Sequence, residues 1–324
     1  VKQQGRAHKA VDAPTVAVAA WAIMTTWLIT GGSGLLGSHC VRQAVKLGVN
    51  VVATHHQHAA LEVPGVTWRR VDLEDERSVS GLLNGVKPSV VIHTAAMAQP
   101  GDCEKDKARA TVINTLCPSW IASACARLGA RLLHLSTDLV FSGDAGPYAE
   151  DDAVNPISHY GVTKVEAERE VRATLPDHVV VRTSLLLGPS PGGNRGVEEL
   201  LHASLTAGQS PRLYVDEFRT PVASEDLSRV LLALATHPYR GTLHVAGVEA
   251  FSRYALGALV AAHLGFGVRQ LTAVSLVNAV GVAPPRAPNT VLDTRRLRGL
   301  SLPPIRSVAV ALREHPWARP NAAG

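Results

Sequence analysis

Apolar residues in this chain come in short blocks, not single alternations. Runs rich in Val, Ile and Leu recur at Trp27–Thr30, Val49–Thr54, Val66–Val71, Val90–Thr94, Arg131–Ser136 and His178–Arg182. Blocks of that length are what strands covered on both faces of a parallel sheet require. Between them the spacing turns helical. Gly34–Leu47 is one such stretch, and a longer one runs from about Lys105 to Leu128, where Gly129 supplies a natural stop. Strand and helix in alternation predict an α/β fold, a Rossmann-type doubly wound parallel sheet. After Leu187 the pattern changes. A Pro/Gly loop, Gly188–Asn194, opens a region of shorter elements, and the chain turns helical again from Arg306 before a Pro-containing end.

Composition narrows the picture. The chain has 324 residues, 46% of them hydrophobic and 18% charged, enough to bury a full core. The net charge of +5 is mild, and no aromatic-and-basic stripe marks a nucleic-acid binder. No uninterrupted apolar stretch is long enough for a membrane helix. Cys40, Cys103, Cys117 and Cys125 lack metal spacing and disulfide density, which fits a reducing, cytoplasmic setting. Val1–Ile23 mimics a signal peptide, with Lys2, Arg6 and Lys9 ahead of an apolar run. The strand pattern begins only after Met24, so this segment is expected to be an N-terminal extension outside the fold.

The first strand runs into Thr30-Gly31-Gly32-Ser33-Gly34-Leu35-Leu36-Gly37, a T-G-x-x-G-x-x-G turn between strand and helix. Glycines permit the tight turn and let backbone approach a pyrophosphate. The helix start at Leu35, Leu36 and Gly37 then offers free N–H groups to that anion. A dinucleotide cofactor is therefore expected on Gly31, Gly34, Leu35, Leu36 and Gly37. Asp72 and Leu73, at the end of the third strand, either meet the adenine edge or open a helix with Asp72 as its N-cap. The second strand ends in Thr54-His55-His56-Gln57-His58. His55 stands where an NAD-specific site usually carries an acid, and no Arg replaces it, so the choice leans to NADPH over NADH. The histidine cluster reads as a solvated loop, not a metal site.

Tyr160-Gly161-Val162-Thr163-Lys164 is Y-x-x-x-K on a helix. The i, i+4 spacing puts Tyr160 and Lys164 on one face. A phenol near pKa ~10 is a poor acid–base group at neutrality, and a lysine ammonium beside it would favour the phenolate. Upstream, Thr137 closes the fifth strand at the sheet edge where ligands bind, placed to hydrogen-bond a substrate oxygen that Tyr160 protonates. Glu166, Glu168 and Glu170 read as a solvated helix face, and Trp120, Leu128, Cys117 and Cys125 as core.

Together these motifs resemble the extended short-chain dehydrogenase/reductase superfamily. More narrowly, Ser136 to Gly143, Pro147-Tyr148, Glu150-Asp151, Pro156 and Tyr160-Gly161 resemble the dTDP-4-dehydrorhamnose reductase (RmlD-like) family. So do Ala95-Ala96 with Asp102 and Glu104, Val112-Ile113-Asn114, Arg182-Thr183-Ser184 and Arg286 to Thr290. The resemblance implies Thr137, Tyr160 and Lys164 as catalytic residues, Ala95 and Ala96 on the cofactor, and Asp138 beside the sugar. Leu139 and Ser142 depart from the family's Tyr and Asp. Asp216-Glu217-Phe218-Arg219-Thr220-Pro221 replaces its D-Q-x-G-x-P stretch and resembles relatives that include the regulatory methionine adenosyltransferase β subunit.

The expected function is reduction of a nucleotide-linked 4-keto-6-deoxy sugar by NAD(P)H, with the nucleotide end among Asn194, Arg219 and Arg286. A nucleotide-sugar epimerase or dehydratase, or a non-catalytic regulatory subunit, is the alternative. Residues 24–187 are expected to form the NAD(P)-binding domain, with 221–250 returning to it. Residues 188–220 and 251–324 would form a smaller substrate-binding region. The nucleotide sugar is the expected partner, with no nucleic acid, membrane or metal, and a homodimer is the assembly left open.

Overall fold

The computed structural model describes residues 25–56, 60–278 and 284–314, and the structural statements that follow concern these residues. The expectation for Val1–Ile23 lies outside them, as does His58. Strands β1 (Thr26–Thr30), β2 (Asn50–His55), β3 (Val66–Arg70), β4 (Val90–His93), β5 (Arg131–Thr137), β6 (His178–Thr183) and β7 (Gly241–His244) form one sheet. Their order is β7-β6-β5-β4-β1-β2-β3, and every pairing is parallel. The order reverses between β1 and β4, which opens a crevice at the carboxyl ends of those strands.

Helices cover both faces. On one side α1 (Leu35–Lys46) packs with α8 (Ser224–Thr236) over Trp27, Ile29, Ile92 and Leu133. On the other, α2 (Glu76–Val86), α5 (Cys117–Leu128) and α6 (His159–Thr174) cover Leu28, Val91, Leu132 and Val180. With α3 (Pro100–Lys105), α4 (Lys107–Thr111), α7 (Val197–Thr206) and α9 (Arg253–His263), these complete the main helices. A separate apolar cluster, with Leu187, Leu201, Leu256, Val260 and Leu312, packs α7 and α9 together. No helix among the described residues is long and apolar enough to cross a membrane.

Two helical expectations change. The stretch from Lys105 to Leu128 is not one regular helix: α4 passes into a π turn, Val112–Leu116, before α5. Pro118 lacks the N–H that would bond the carbonyl four residues back, so the helix widens where the partner would be Asn114. The wide turn presents a buried Asn114, whose Oδ1 accepts from Met97 N at 2.9 Å and whose Nδ2 donates to Met97 O at 3.1 Å. Helix α2, which the sequence offered with Asp72 as its N-cap, is capped by Asp75 instead. The Asp75 carboxylate accepts from Arg77 N and Ser78 N.

Candidate active site

The glycine turn closes tightly on itself. Gly31 has φ +68°, and a Cβ there would stand 2.9 Å from Ala95 Cα, so the turn after β1 touches the segment after β4. A Cβ on Gly37 would fall 2.1 Å from Gly31 O, so only glycine lets α1 begin so close to the strand end. The first turn of α1 keeps backbone N–H groups without intrahelical partners, pointed into the crevice. This cradle fits a dinucleotide pyrophosphate.

The crevice is one cleft of about 1040 Å³. It brings together Gly31, Gly34, Leu35, Leu36, Gly37, His55, Asp72, Leu73, Ala95 and Ala96 at one end, and Thr137, Asp138, Tyr160, Lys164, Arg219 and Arg286 further along. Asn194 is exposed and does not line it, whereas the next residue, Arg195, does. The Asn194 N–H is turned into the loop, donating to Ser190 Oγ at 3.2 Å. Arg195 reaches back over the glycine turn, where a Cβ on Gly34 would be 3.5 Å from its Nη1. Asp72 accepts from Glu74 N at 2.9 Å and faces the cleft.

Ser158 caps α6 through Gly161 N at 3.2 Å and starts the helix beneath the ends of β5. Tyr160 and Lys164 are both buried. Burial, with the Cys103 thiol and the Asp138 carboxylate nearby, pushes the Tyr160 phenol above its ordinary range, although the neighbouring Thr137 hydroxyl opposes the rise. The lowered phenol expected from the Y-x-x-x-K spacing is therefore not what this geometry gives: desolvation outweighs the other influences. Burial also brings the Lys164 ammonium down to about 8, although the Glu168 carboxylate opposes the fall.

Glu168 is a further correction. It is fully buried, not solvated, because Arg182 on β6 takes it in a fork, Nε to Oε1 at 3.0 Å and Nη2 to Oε2 at 2.8 Å. Ser136 Oγ adds a third bond to Oε1 at 2.5 Å. Glu166 is half-buried, with Oε2 accepting from Thr115 Oγ1 at 3.3 Å, and only Glu170 is exposed.

The acidic and basic groups expected at the sugar end of the cleft are spent differently than the sequence suggests. Asp138 Oδ1 accepts from Arg219 Nη1 at 3.0 Å and Thr137 Oγ1 at 3.2 Å. Asp138 Oδ2 accepts from Ser184 Oγ at 2.6 Å and Thr290 Oγ1 at 3.2 Å. Arg219 also meets Glu217 Oε1 at 3.2 Å, so it is a buried, doubly paired group and not a free grip for an anion. Arg286 shares the other Glu217 oxygen at 2.9 Å, lies over the Tyr214 ring and remains about 40% exposed. Arg253, passed over in the sequence, lines the same cleft with a buried Nη1 that has no partner. Its only sequence signal is a basic residue opening α9. Among the described residues no group of His, Cys, Asp and Glu is arranged to hold a metal ion.

The sheet order, the glycine turn and the Thr137/Tyr160/Lys164 constellation define an extended short-chain dehydrogenase/reductase with a Rossmann-type α/β fold. The RmlD substrate binding domain family model matches residues 24–317, and the chain belongs to that family. The chain is 31% identical to the spore coat polysaccharide biosynthesis protein SpsK of Bacillus subtilis, over 92% of this chain and 99% of that one. It is 32% identical to a dTDP-4-dehydrorhamnose reductase of Mycobacterium tuberculosis, over 88% of this chain and 90% of the relative. Its structure is similar to that of a dTDP-4-dehydrorhamnose reductase from Clostridium acetobutylicum, with a TM-score of 0.76 at 28% identity, covering 90% of this chain and 98% of the other.

Proposed function

We propose that the protein reduces the 4-keto group of a nucleotide-linked 4-keto-6-deoxy sugar with NAD(P)H, as its dTDP-4-dehydrorhamnose reductase relatives are named for doing. The observation that carries this reading is the meeting of Thr137, Tyr160 and Lys164 in the same cleft as the glycine cradle. The bound cofactor supplies hydride to the keto carbon. Tyr160 donates its proton to the carbonyl oxygen as that oxygen gains charge. Its raised affinity for the proton keeps it a phenol at neutral pH, the form a reduction needs. Thr137 orients the same oxygen. Lys164 holds the nicotinamide ribose and lends positive charge beside the phenol. Arg195, over the glycine turn, and the first-turn N–H groups of α1 receive the cofactor pyrophosphate. Arg253, whose Nη1 is buried without a partner, and Arg286, paired with Glu217 but about 40% exposed, face the sugar-nucleotide diphosphate.

NADPH is the preferred form in this reading. His55 ends β2 without an acid, and the β2–β3 register sets Arg70 directly opposite it, exposed. Registered partners in parallel strands share a sheet face, so Arg70 is within reach of a phosphate on the adenosine ribose. The four cysteines are buried and unpaired, which supports a reducing compartment.

The dehydratase alternative is disfavoured by Asp138. Water elimination needs an acid and a base at the sugar, but this carboxylate is occupied by Thr137, Ser184, Arg219 and Thr290. Its neighbour, Leu139, carries no proton. The test is a panel of nucleotide sugars offered with NADPH, followed by absorbance of the reduced cofactor. Oxidation with a dTDP-4-keto-6-deoxyhexose supports the reading, and oxidation with none of the panel removes it.

A further inference from the structure

Lys164 makes a hydrogen bond that the reductase chemistry does not call for. Its Nζ lies 3.2 Å from His134 Nε2, in the middle of β5. The strand alternation places Leu132, His134 and Ser136 on the face that α6 covers, so His134 meets Lys164 while Ser136 meets Glu168 one turn later. His134 has no exposed surface, and burial beside the Lys164 charge holds its imidazole well below the usual histidine range. It is therefore neutral wherever the enzyme works, and a neutral ring accepts through one nitrogen only. With Lys164 charged, that nitrogen is Nε2, and the proton sits on Nδ1, which has no partner.

The ring is fixed from its other side. The β4–β5 register pairs His93 with His134, and the two rings stack at 5.5 Å with 19° between planes. His93 is anchored in turn by Thr30 Oγ1 at 2.7 Å, on the strand that leads into the glycine turn. The other titratable groups near the ammonium are His93, whose own bond is to Thr30, and Glu168, Cys103 and Cys117, and Glu168 is held by Arg182, Arg172 and Ser136. His134 is thus the neutral acceptor supplied to Lys164.

We propose that His134 is the positioning residue for Lys164: its imidazole takes one ammonium hydrogen, which keeps Lys164 charged in a desolvated site and leaves the other two hydrogens to face the phenol and ribose side of the cleft. Hydrogen bonding to the charged form favours that form, so removing the acceptor makes the charge harder to keep. The inference rests on the reductase reading for its consequence, not for its geometry.

The test follows the Lys164 Cε resonance of 13C-lysine-labelled protein through a pH titration, assigned by its loss in Lys164→Met. The expected wild-type midpoint is near 8. In His134→Phe, which keeps a ring against His93, the midpoint falls by about one unit, and turnover at pH 8 falls roughly fivefold with the charged fraction of Lys164. His134→Gln, which restores a neutral acceptor, returns both toward wild type. If His134→Phe does not fold, His134→Leu is titrated in its place, and NADPH binding measured by fluorescence weakens at correspondingly lower pH. A midpoint unchanged in the folded apolar variant, or not restored by Gln, overturns the proposal. A shifted midpoint in a protein that reduces no sugar nucleotide leaves the positioning role standing and removes the reductase reading instead.

Discussion

Arg219 Nη1 donates to Asp138 Oδ1 at 3.0 Å, and both side chains are buried beneath the cleft. The residues lie far apart in sequence, Asp138 directly after β5 and Arg219 in the segment before α8, so the pair ties that segment to the floor of the active site. Removing one partner of a buried pair strands the other, at a cost of about 3 kcal/mol. Arg219→Leu is therefore predicted to lower stability by about that much in urea unfolding, before any question of substrate affinity arises. A raised KM with unchanged stability would instead make Arg219 a substrate-facing group.

Tyr160→Phe removes the proton donor and nothing that holds the cofactor. Turnover should fall at least ~10²-fold, with the NADPH dissociation constant nearly unchanged. Single-turnover kinetics and fluorescence titration check the two halves separately. Wild-type-like turnover would remove Tyr160 from the mechanism.

Arg70 stands opposite His55 in the β2–β3 register. Arg70→Ala should reduce kcat/KM with NADPH roughly five- to tenfold, about the worth of one exposed charge-assisted hydrogen bond, and leave NADH nearly unaffected. Equal losses with both cofactors would show that Arg70 does not meet the 2′-phosphate.

Glu198 anchors the loop that carries Arg195. Its Oε1 accepts from Gly188 N at 2.9 Å, while Oε2 is buried without a partner. Burial pushes the carboxyl up to about 7, although the Gly188 N–H opposes the shift. Because the folded value lies above the unfolded one, the folded state binds this proton more tightly. The resulting stabilisation is present below the unfolded value near ~4.3 and is lost as pH rises through about 7. Glu198→Gln should therefore raise stability at pH 8, by something of order 1 kcal/mol, with little change at pH 4. Thermal melts of both proteins at the two pH values decide it; a variant that melts lower at pH 8 contradicts the assignment.

The parts of the site legible in the sequence are those whose partners are local. The glycine turn is written in consecutive residues because the turn itself demands them, and Tyr160 and Lys164 announce their shared face through helical spacing. Glu168 has the same spacing but reads as solvated, because nothing in its own helix reveals that Arg182 arrives from β6. Arg219 looked free for the same reason, with Asp138 distant in sequence. His134 is hidden differently: a polar residue inside an apolar strand does not disturb the strand pattern, and its meaning appears only when α6 is laid across it. The π turn at Val112–Leu116 required the hydrogen-bond consequence of Pro118 to be drawn, which a count of helix formers does not do.

The central claim is hydride delivery to the sugar carbonyl with Tyr160 supplying the proton. The most direct measurement supplies NADPH carrying deuterium at the transferring position of nicotinamide C4, together with a dTDP-4-keto-6-deoxyhexose, and locates the label in the product by NMR. The account predicts one deuterium at sugar C4 and one equivalent of cofactor oxidised, and no turnover of dTDP-glucose. Formation of a 4-keto-6-deoxy product from dTDP-glucose without net cofactor change, or a reduced sugar without deuterium at C4, would contradict it.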